Sequence, residues 1–292
     1  MSAPSIPGGA LKLAPPATRI AAVARLELGD LLRSRWLVFS VGLYATLTAA
    51  FVWMGMRESA IVGFTGIPRL LLSLSHALLL VLPLVALTGT GHAVSRARRD
   101  GMLELLFSHP VTRDDYFRGV TLVRFGALFV PLLVLMVGLA LIGAPALGQA
   151  VPWAFVARSL VVSTALLWCF TGVGLAVSVR VHEPERVQMY LLLIWVLAVA
   201  LLDFGLVGLM LQWALPPAVV FGLAAVNPVE AARLALLSGA DPALGTLGPV
   251  GFFLFSRLGP AWLLAIGVLW PLGLGTAAWL AAVRWLRRSD LV

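Results

Sequence analysis

The chain has 292 residues, of which 61% are hydrophobic and 12% are charged, and its formal net charge is +8. An ordinary soluble domain carries about twice that share of charged residues, so the composition excludes that class. A disulfide framework is excluded too, because Cys169 is the only cysteine. The positive charge fits a basic rim facing membrane lipid and needs no nucleic acid partner.

In chain order, the N-terminal region comes first. Residues 1–17 are small and Pro-rich, and we expect them to be a disordered tail. Residues 18–35 predict a helix with Thr18 as its N-cap. Its apolar residues predict an interfacial elbow helix along the inner leaflet, although Glu27 falls on the apolar side. A cytoplasmic extension of the first membrane span is the alternative.

Residues 36–292 predict a transmembrane domain. Six apolar stretches are long enough for the roughly 20 helical residues that cross a bilayer core. These predicted spans lie at 36–56, 70–92, 119–143, 157–180, 187–213 and 260–285. All are too long for transmembrane strands, and a backbone in lipid must satisfy its own hydrogen bonds. The sequence therefore predicts an all-α integral membrane protein with six transmembrane helices.

The basic residues predict that both termini lie in the cytoplasm. With that orientation, 16 of the 21 lysines and arginines fall on the inner side and five fall on the outer side. Cytoplasmic loops of membrane proteins carry an excess of basic residues of this kind. We therefore expect a multi-pass protein of the cell inner (plasma) membrane.

The inner loop between the second and third spans holds a short apolar cluster among charged residues. The cluster, residues 102–107, reads Met-Leu-Glu-Leu-Leu-Phe. It is too short to span a membrane and too apolar for a simple linker, so we expect it to dock a soluble partner. A solvated loop whose apolar residues lie against lipid is the alternative.

Asp203 is the only acidic residue deep inside a predicted span. A carboxylate in hydrocarbon is costly, so Asp203 is a candidate functional residue inside the membrane. Pairing with Arg158 or Gln212 near the outer interface is the structural alternative. We favour that alternative, because Asp203 lies near the end of its span.

The longest predicted loop covers residues 214–259 on the outer side. Within it, Asn227 and Pro228 are typical of a helix N-cap and first helical position, with Glu230 in the first turn. We expect a short helix there, with Asn227, Pro228, Glu230 and Arg233 docking a partner outside the cytoplasm.

The sequence has no motif for ATP hydrolysis. A phosphate-binding loop needs a lysine after glycine, and the only lysine, Lys12, follows Leu11. The four histidines are far apart along the chain, so the sequence predicts neither catalytic residues nor a metal site. An embedded enzyme acting through His92 or Asp203 remains a further class.

The inner loop resembles the cytoplasmic signature of type-2 ABC permeases. The residues that match that signature are Gly101, Leu103, Glu104, Leu105, Leu106, Pro110, Val111, Thr112, Arg113 and Gly119. The family pattern continues with lysine after this glycine, whereas this chain has Val120. Residues 26–36 also resemble the elbow entry of the family, and six spans with a large outer loop agree with it.

The resemblance implies a half-transporter. Two copies of the chain would form a homodimeric pore, with a separate ATPase subunit that binds ATP and Mg²⁺ beneath each copy. The chain itself would bind no cofactor. The resemblance assigns the coupling helix to Asp100, Gly101, Met102, Leu103, Glu104, Leu105, Leu106, Phe107, Pro110 and Arg113. It assigns the elbow to Glu27, Arg33 and Arg35.

Within the family, the chain is most similar to permeases that serve maturation of the copper enzyme nitrous oxide reductase. That likeness rests on residues 106–111 and on Asn227, Pro228 and Arg233. It implies a periplasmic partner, and passage of a sulfur species or a mechanical pull rather than copper binding. The alternatives are an exporter of a lipid-like or drug-like compound and, in a different class, a membrane scaffold without a motor.

Overall fold

A computed structural model of the protein describes residues 15–59, 67–146, 150–201, 219, 222, 225–240 and 259–288. Regular structure in these residues is helical throughout, which confirms the predicted all-α class. The helices are α1 Pro16–Leu32, α2 Arg35–Ser59, α3 Ile67–Thr90, α4 Ala93–Arg99, α5 Met102–Phe107, α6 Arg113–Ala146, α7 Trp153–Arg180, α8 Pro184–Trp195, α9 Pro228–Ala240 and α10 Gly259–Arg288. α8 continues into a π-helical turn, Val196–Leu201.

Four helical stretches in the described part of the chain are long and apolar enough to cross a membrane. They are Leu74–Arg99, Arg113–Ile142, Trp153–Arg180 and Gly259–Arg288, with mean hydropathies of 1.9, 2.7, 2.1 and 1.8. They correspond to the second, third, fourth and sixth predicted spans. α2 and α8 lie where the first and fifth spans were predicted, and the six-span count stays a prediction.

The helices extend beyond the apolar residues that defined the predicted spans. α6 begins at Arg113 and α10 ends at Arg288, so both include charged turns outside the apolar stretch. An apolar count marks only the part of a helix that lies in hydrocarbon. The helix itself continues for as long as its terminal backbone groups find partners.

α3 and α7 form the centre of the bundle, whereas α6 and α10 lie at its surface. In the most apolar 18-residue window of each stretch, 67% of the residues are buried for Leu74–Arg99 and for α7. The corresponding share is 22% for α6 and for α10. The main core packs aliphatic side chains such as Leu82, Leu128 and Leu166. The exposed apolar residues of α6 and α10 suit a surface in contact with lipid.

α7 and α10 approach each other closely at two glycines. A Cβ atom on Gly172 would overlap the carbonyl oxygen of Gly275, and one on Gly275 would overlap the backbone at Cys169. Small residues allow helices in a membrane to pack backbone against backbone. Any larger residue at either position would push α10 away from the central helix.

A second, smaller core lies at one end of the bundle, which we call the α5 end. It is lined by residues of six helices, among them Val23, Val94, Leu103, Phe117, Val179 and Leu286. α7 also caps α4 here, because the Oγ of Ser178 accepts hydrogen bonds from the N–H groups of Val94 and Ser95 at 2.9 and 3.2 Å. α4, α5 and the ends of α6, α7 and α10 are therefore packed together.

The N-terminal helix differs from its predicted bounds. α1 starts at Pro16 rather than Thr18, and no side chain caps it. Proline suits the first turn of a helix because its missing N–H needs no partner, so the N-cap prediction for Thr18 is wrong. α1 ends at Leu32, and Arg33 and Ser34 separate it from α2. The predicted tail, residues 1–17, lies mostly outside the described residues.

Candidate functional site at the α5 end

The 100–113 segment connects α4 to α6 by way of the short helix α5. Gly101 precedes α5 with φ 69°, in the left-handed region. Glycine adopts this conformation without the steric cost that a side chain would add. The glycine in the matched motif therefore allows the chain to turn sharply between α4 and α5.

α5 has one buried face and one exposed face. Leu103 is 1% exposed and belongs to the small core, whereas Leu105 is 68% exposed. Leu106 and Phe107 are half-buried, and the Phe107 ring packs edge-on against Tyr116 with centroids 5.9 Å apart. The sequence predicted that all the apolar residues of the cluster need an outside partner. That prediction is wrong for Leu103, because distant helices of the same chain cover it.

The start of α6 is capped by its own residues. The Thr112 hydroxyl accepts a hydrogen bond from the Asp115 N–H at 3.2 Å and donates one to the Asp115 carboxylate at 2.6 Å. The Thr112 N–H points to the same carboxylate at 3.4 Å. This reciprocal arrangement is a capping box, with aspartate in place of the usual glutamate. Asp115 also pairs with Arg19 of α1 at 3.2 Å.

Arg113 and Asp114 join the start of α6 to the end of α10. Arg113 donates hydrogen bonds to the carbonyl oxygens of Leu286 and Arg287 at 3.0 and 2.8 Å. These carbonyls lie in the last turn of α10, which lacks helical partners for them. Asp114 accepts two hydrogen bonds from the Arg287 guanidinium, one of them at 2.8 Å. We call this pair of contacts the α6–α10 latch.

The predicted elbow residues differ in their surroundings. Glu27 is 7% exposed and pairs with Arg124 of α6 at 2.5 Å. Arg124 also donates to the carbonyl oxygen of Gly89 near the end of α3, at 3.0 Å. Arg33 and Arg35 are exposed. Glu27 thus fastens α1 to the bundle, and its place on the apolar side follows from this pairing.

The opposite end of the bundle, which we call the α9 end, holds the predicted docking residues. Asn227 caps α9, since its Oδ1 accepts a hydrogen bond from the Val229 N–H at 3.0 Å, and Pro228 is the first helical residue as predicted. Asn227 and Glu230 are 1% and 8% exposed, so their side chains are covered by the chain itself. Arg233 pairs with Glu230 at 3.0 Å and is the more exposed of the two. Of these three predicted docking residues, Arg233 is thus partly exposed and the other two are buried.

Arg158 of α7 holds the C-terminal turn of α9. Its guanidinium donates to the Ala235 carbonyl at 2.9 Å, to the Ser238 hydroxyl at 2.7 Å and to the Pro260 carbonyl at 3.3 Å. This basic side chain thus joins α7 to α9 and to the first turn of α10. Arg158 is occupied in this way, while its proposed partner Asp203 lies outside the described residues.

The residue types that bind metals are spread apart in the described ranges. Within them, no group of three or more His, Cys, Asp or Glu side chains could hold a metal ion. His92 is hydrogen-bonded to Gln188 of α8, with 3.0 Å between Nε2 and Oε1. That contact joins α8 to the turn between α3 and α4.

Residues 21–216 match the family described as ABC-2 family transporter protein. The chain belongs to the ABC-2 family. Similar curated proteins include two described as probable ABC transporter permease protein NosY. The one from Stutzerimonas stutzeri is 30% identical over 233 residues, covering 77% of this chain and 84% of its own. The one from Pseudomonas aeruginosa is 30% identical over 234 residues, covering 76% and 82%.

Membership of the ABC-2 family makes this chain a multi-pass inner-membrane permease of an ABC transporter. Permeases of this family normally work with an ATPase subunit. The matched motif residues are brought together at the α5 end, where Gly101 turns the chain and Thr112 caps α6. Leu103 joins the small core there.

Three residues of this ABC-2 chain were missed as contributors to the site. Arg124, Asp114 and Arg287 bind partners that lie 97 to 173 positions away along the chain. In the sequence, each looks like an ordinary charged residue close to the end of a membrane span. Only Arg124 and Asp114, charged residues inside or next to an apolar span, could have been singled out.

Proposed function

We propose that this ABC-2 permease receives the motion of its ATPase through the 100–113 segment, with α5 as the coupling helix. The division of α5 into two faces carries the proposal. Leu103 ties the helix to the chain's own core, while Leu105 stays open to a partner. Glu104 and Pro110 are exposed beside Leu105, and they extend the surface that the ATPase would contact.

The physical requirement is a contact whose free energy differs between two states of the ATPase. Burying one leucine side chain fully contributes about 2 kcal/mol, so a groove that covers Leu105 in one state only would shift the equilibrium. The α6–α10 latch would then pass a displacement of α5 to two membrane helices. ATP and Mg²⁺ would bind to the ATPase, and this chain would bind no cofactor.

Leu105→Asp tests this role. We expect it to abolish co-purification of the ATPase subunit while the permease keeps its thermal unfolding midpoint, because the side chain is exposed. Arg118→Asp is the matched control, since Arg118 is exposed at the same end and lies outside the segment. Leu103→Asp should lower the amount of folded permease instead. Unchanged ATPase binding by Leu105→Asp would contradict the proposal.

The arrangement in the membrane forms part of the proposal. We place six spans across the inner membrane, both termini and the α5 end in the cytoplasm, and the α9 end outside. The excess of basic residues at the α5 end supports this orientation. α1 lies along the inner leaflet as an elbow, which is supported by Leu26 and Leu32, 54% and 61% exposed. Two copies with two ATPase subunits complete the transporter.

The cargo is proposed from the likeness to the NosY permeases. The chain would serve maturation of the copper enzyme nitrous oxide reductase together with a periplasmic partner. Residues 214–259 contain no cysteine, methionine or histidine, so the outer loop offers no soft ligand for copper. Passage of a sulfur species or a mechanical pull on the partner fits this composition better.

Arg233→Gln tests the outer partner. We expect weaker capture of the periplasmic protein with ATPase assembly unchanged, because Arg233 lies at the end opposite α5. The substitution removes the ion pair between Arg233 and Glu230, so the thermal unfolding midpoint must be measured as well. Loss of both partners together would indicate a folding defect and would contradict a docking role.

Two other functions give different results in the same experiments. An exporter of a lipid-like or drug-like compound would assemble with the ATPase and keep its activity without any periplasmic protein. If the chain were a membrane scaffold without a motor, no ATPase subunit would co-purify with the wild-type chain. The second result would overturn the coupling role of α5 as well.

A further inference from the structure

We propose that a crevice between α7, α8 and α10 at the α5 end binds one anionic phospholipid. The crevice has a volume of about 600 Å³, within the range of ligand sites in proteins. It is lined by none of the residues of the 100–113 segment. The inference goes beyond the coupling role and depends on the proposed orientation only for the choice of the inner leaflet.

The deeper walls of the crevice are apolar. Val173 and Val177 of α7, Ile194 of α8 and Ala278 of α10 face it from three sides. From Val173 to Arg180 the helix rises by about 10 Å, so the apolar wall extends well below the charged mouth. An acyl chain can lie along such a wall, because it replaces water with aliphatic contacts.

The mouth of the crevice is basic and aromatic. The Arg180 guanidinium lies over the Trp285 ring, 5.8 Å from its centroid. Arg186 is neutralised by Glu183 at 2.7 Å, whereas Arg180 has no carboxylate partner among the described residues. Tyr190 and Trp285 are both about 40% exposed beside it. Aromatic residues of this kind sit at the level of lipid headgroups.

The combination selects an amphiphile with a negative headgroup. Arg180 would bind the phosphate, and the walls below would bind one acyl chain. A free phosphate would gain nothing from the apolar walls. A second copy packed over the crevice would bury Arg180, which is unfavourable unless that copy supplies a carboxylate. Basic pockets between transmembrane helices on the cytoplasmic side are known to bind anionic headgroups.

Native mass spectrometry of the full-length chain tests the site. Phosphatidylglycerol and phosphatidylcholine with identical acyl chains are added separately, and retained lipids are counted. We expect one tightly retained phosphatidylglycerol. Arg180→Gln should weaken its binding roughly fivefold, as expected for one basic residue near a lipid surface. Arg118→Gln, an exposed arginine at the same end, is the matched control and should have no effect.

A second pair of variants tests the apolar wall. Ala278→Trp should fill the crevice and remove the bound lipid, whereas Ala277→Trp, next to it but outside the lining, should not. Equal effects of Arg180→Gln and Arg118→Gln, or equal retention of phosphatidylcholine, would overturn the proposal. Displacement of phosphatidylglycerol by glycerol phosphate would also overturn it, because the apolar walls would then contribute nothing. The same holds if Ala278→Trp breaks a dimer of the chain while the lipid is retained. Leu105→Asp should leave lipid binding unchanged, which separates this inference from the coupling role.

Discussion

Glu27 shows at the scale of one residue how an apparent exception in the sequence is explained. Its carboxylate interrupts the apolar side of α1, yet it lies buried against Arg124, 2.5 Å away. Arg124 in turn donates to the Gly89 carbonyl. The buried carboxylate is tolerated here because it is paired with the partly covered Arg124, which also donates to a backbone oxygen.

Glu27→Gln should destabilise the folded chain by roughly 2 kcal/mol, because it removes a charge-assisted hydrogen bond at the buried Glu27 and leaves the partly covered Arg124 without its carboxylate. The measurement is the midpoint of thermal unfolding in detergent, followed by tryptophan fluorescence. Glu183→Gln is the control, since its ion pair with Arg186 is more than half exposed and should contribute about 0–1 kcal/mol. Equal shifts for the two variants would contradict the structural role of Glu27.

At the scale of elements, the α6–α10 latch explains why the short α5 can matter to the membrane helices. Arg113 follows α5 and satisfies the last carbonyls of α10, and Asp114 binds Arg287 of the same turn. The cap on α6 and the cap on α10 are thus made by neighbouring residues. Movement of α5 would displace both helix ends together.

Arg113→Gln should release the last turn of α10. We expect backbone amides near residues 284–288 to exchange with deuterium roughly tenfold faster, since a hydrogen bond from a charged donor contributes about 1.4 kcal/mol or more. Hydrogen exchange followed by mass spectrometry measures this directly. Arg33→Gln should leave these amides unchanged, because Arg33 is exposed between α1 and α2 and lies outside the latch. Unaltered exchange in both variants would show that the latch does not hold α10.

At the scale of the whole molecule, the two ends of the bundle are joined by the central helices α3 and α7. α7 carries Ser178 and Val179 at the α5 end and Arg158 at the α9 end. Both ends are therefore anchored to one continuous helix. This continuity would let an event at α5 reach α9 across the membrane.

The proposed orientation is tested by labelling single cysteines. Cys169 is the only cysteine and is buried, so it stays unlabelled in the folded chain. We expect Ala150→Cys, at an exposed position just before α7, to react with a membrane-impermeant maleimide added to intact spheroplasts. Arg288→Cys should react only after the membrane is opened. The reverse labelling pattern would contradict the proposed orientation and would place the α5 end outside the cytoplasm.

The sequence predicted correctly the features that depend on composition or on residues adjacent in the chain. The apolar spans predicted an all-α membrane protein, because only hydrogen-bonded helices satisfy the backbone in lipid over such lengths. Asn227 and Pro228 predicted the start of α9, because a helix N-cap is made by adjacent residues. The 100–113 segment was located correctly between two membrane helices, since its charge and its apolar cluster are both visible in the sequence.

The tertiary structure alone decided which side of α5 is open. Leu103 and Leu105 are alike in sequence, yet helices far along the chain cover one and leave the other exposed. The partners of Glu27, Arg113 and Arg158 could not be predicted from the sequence either, since each lies 77 or more positions away along the chain. Such contacts depend on how helices pack in three dimensions, and no local pattern in the sequence records them.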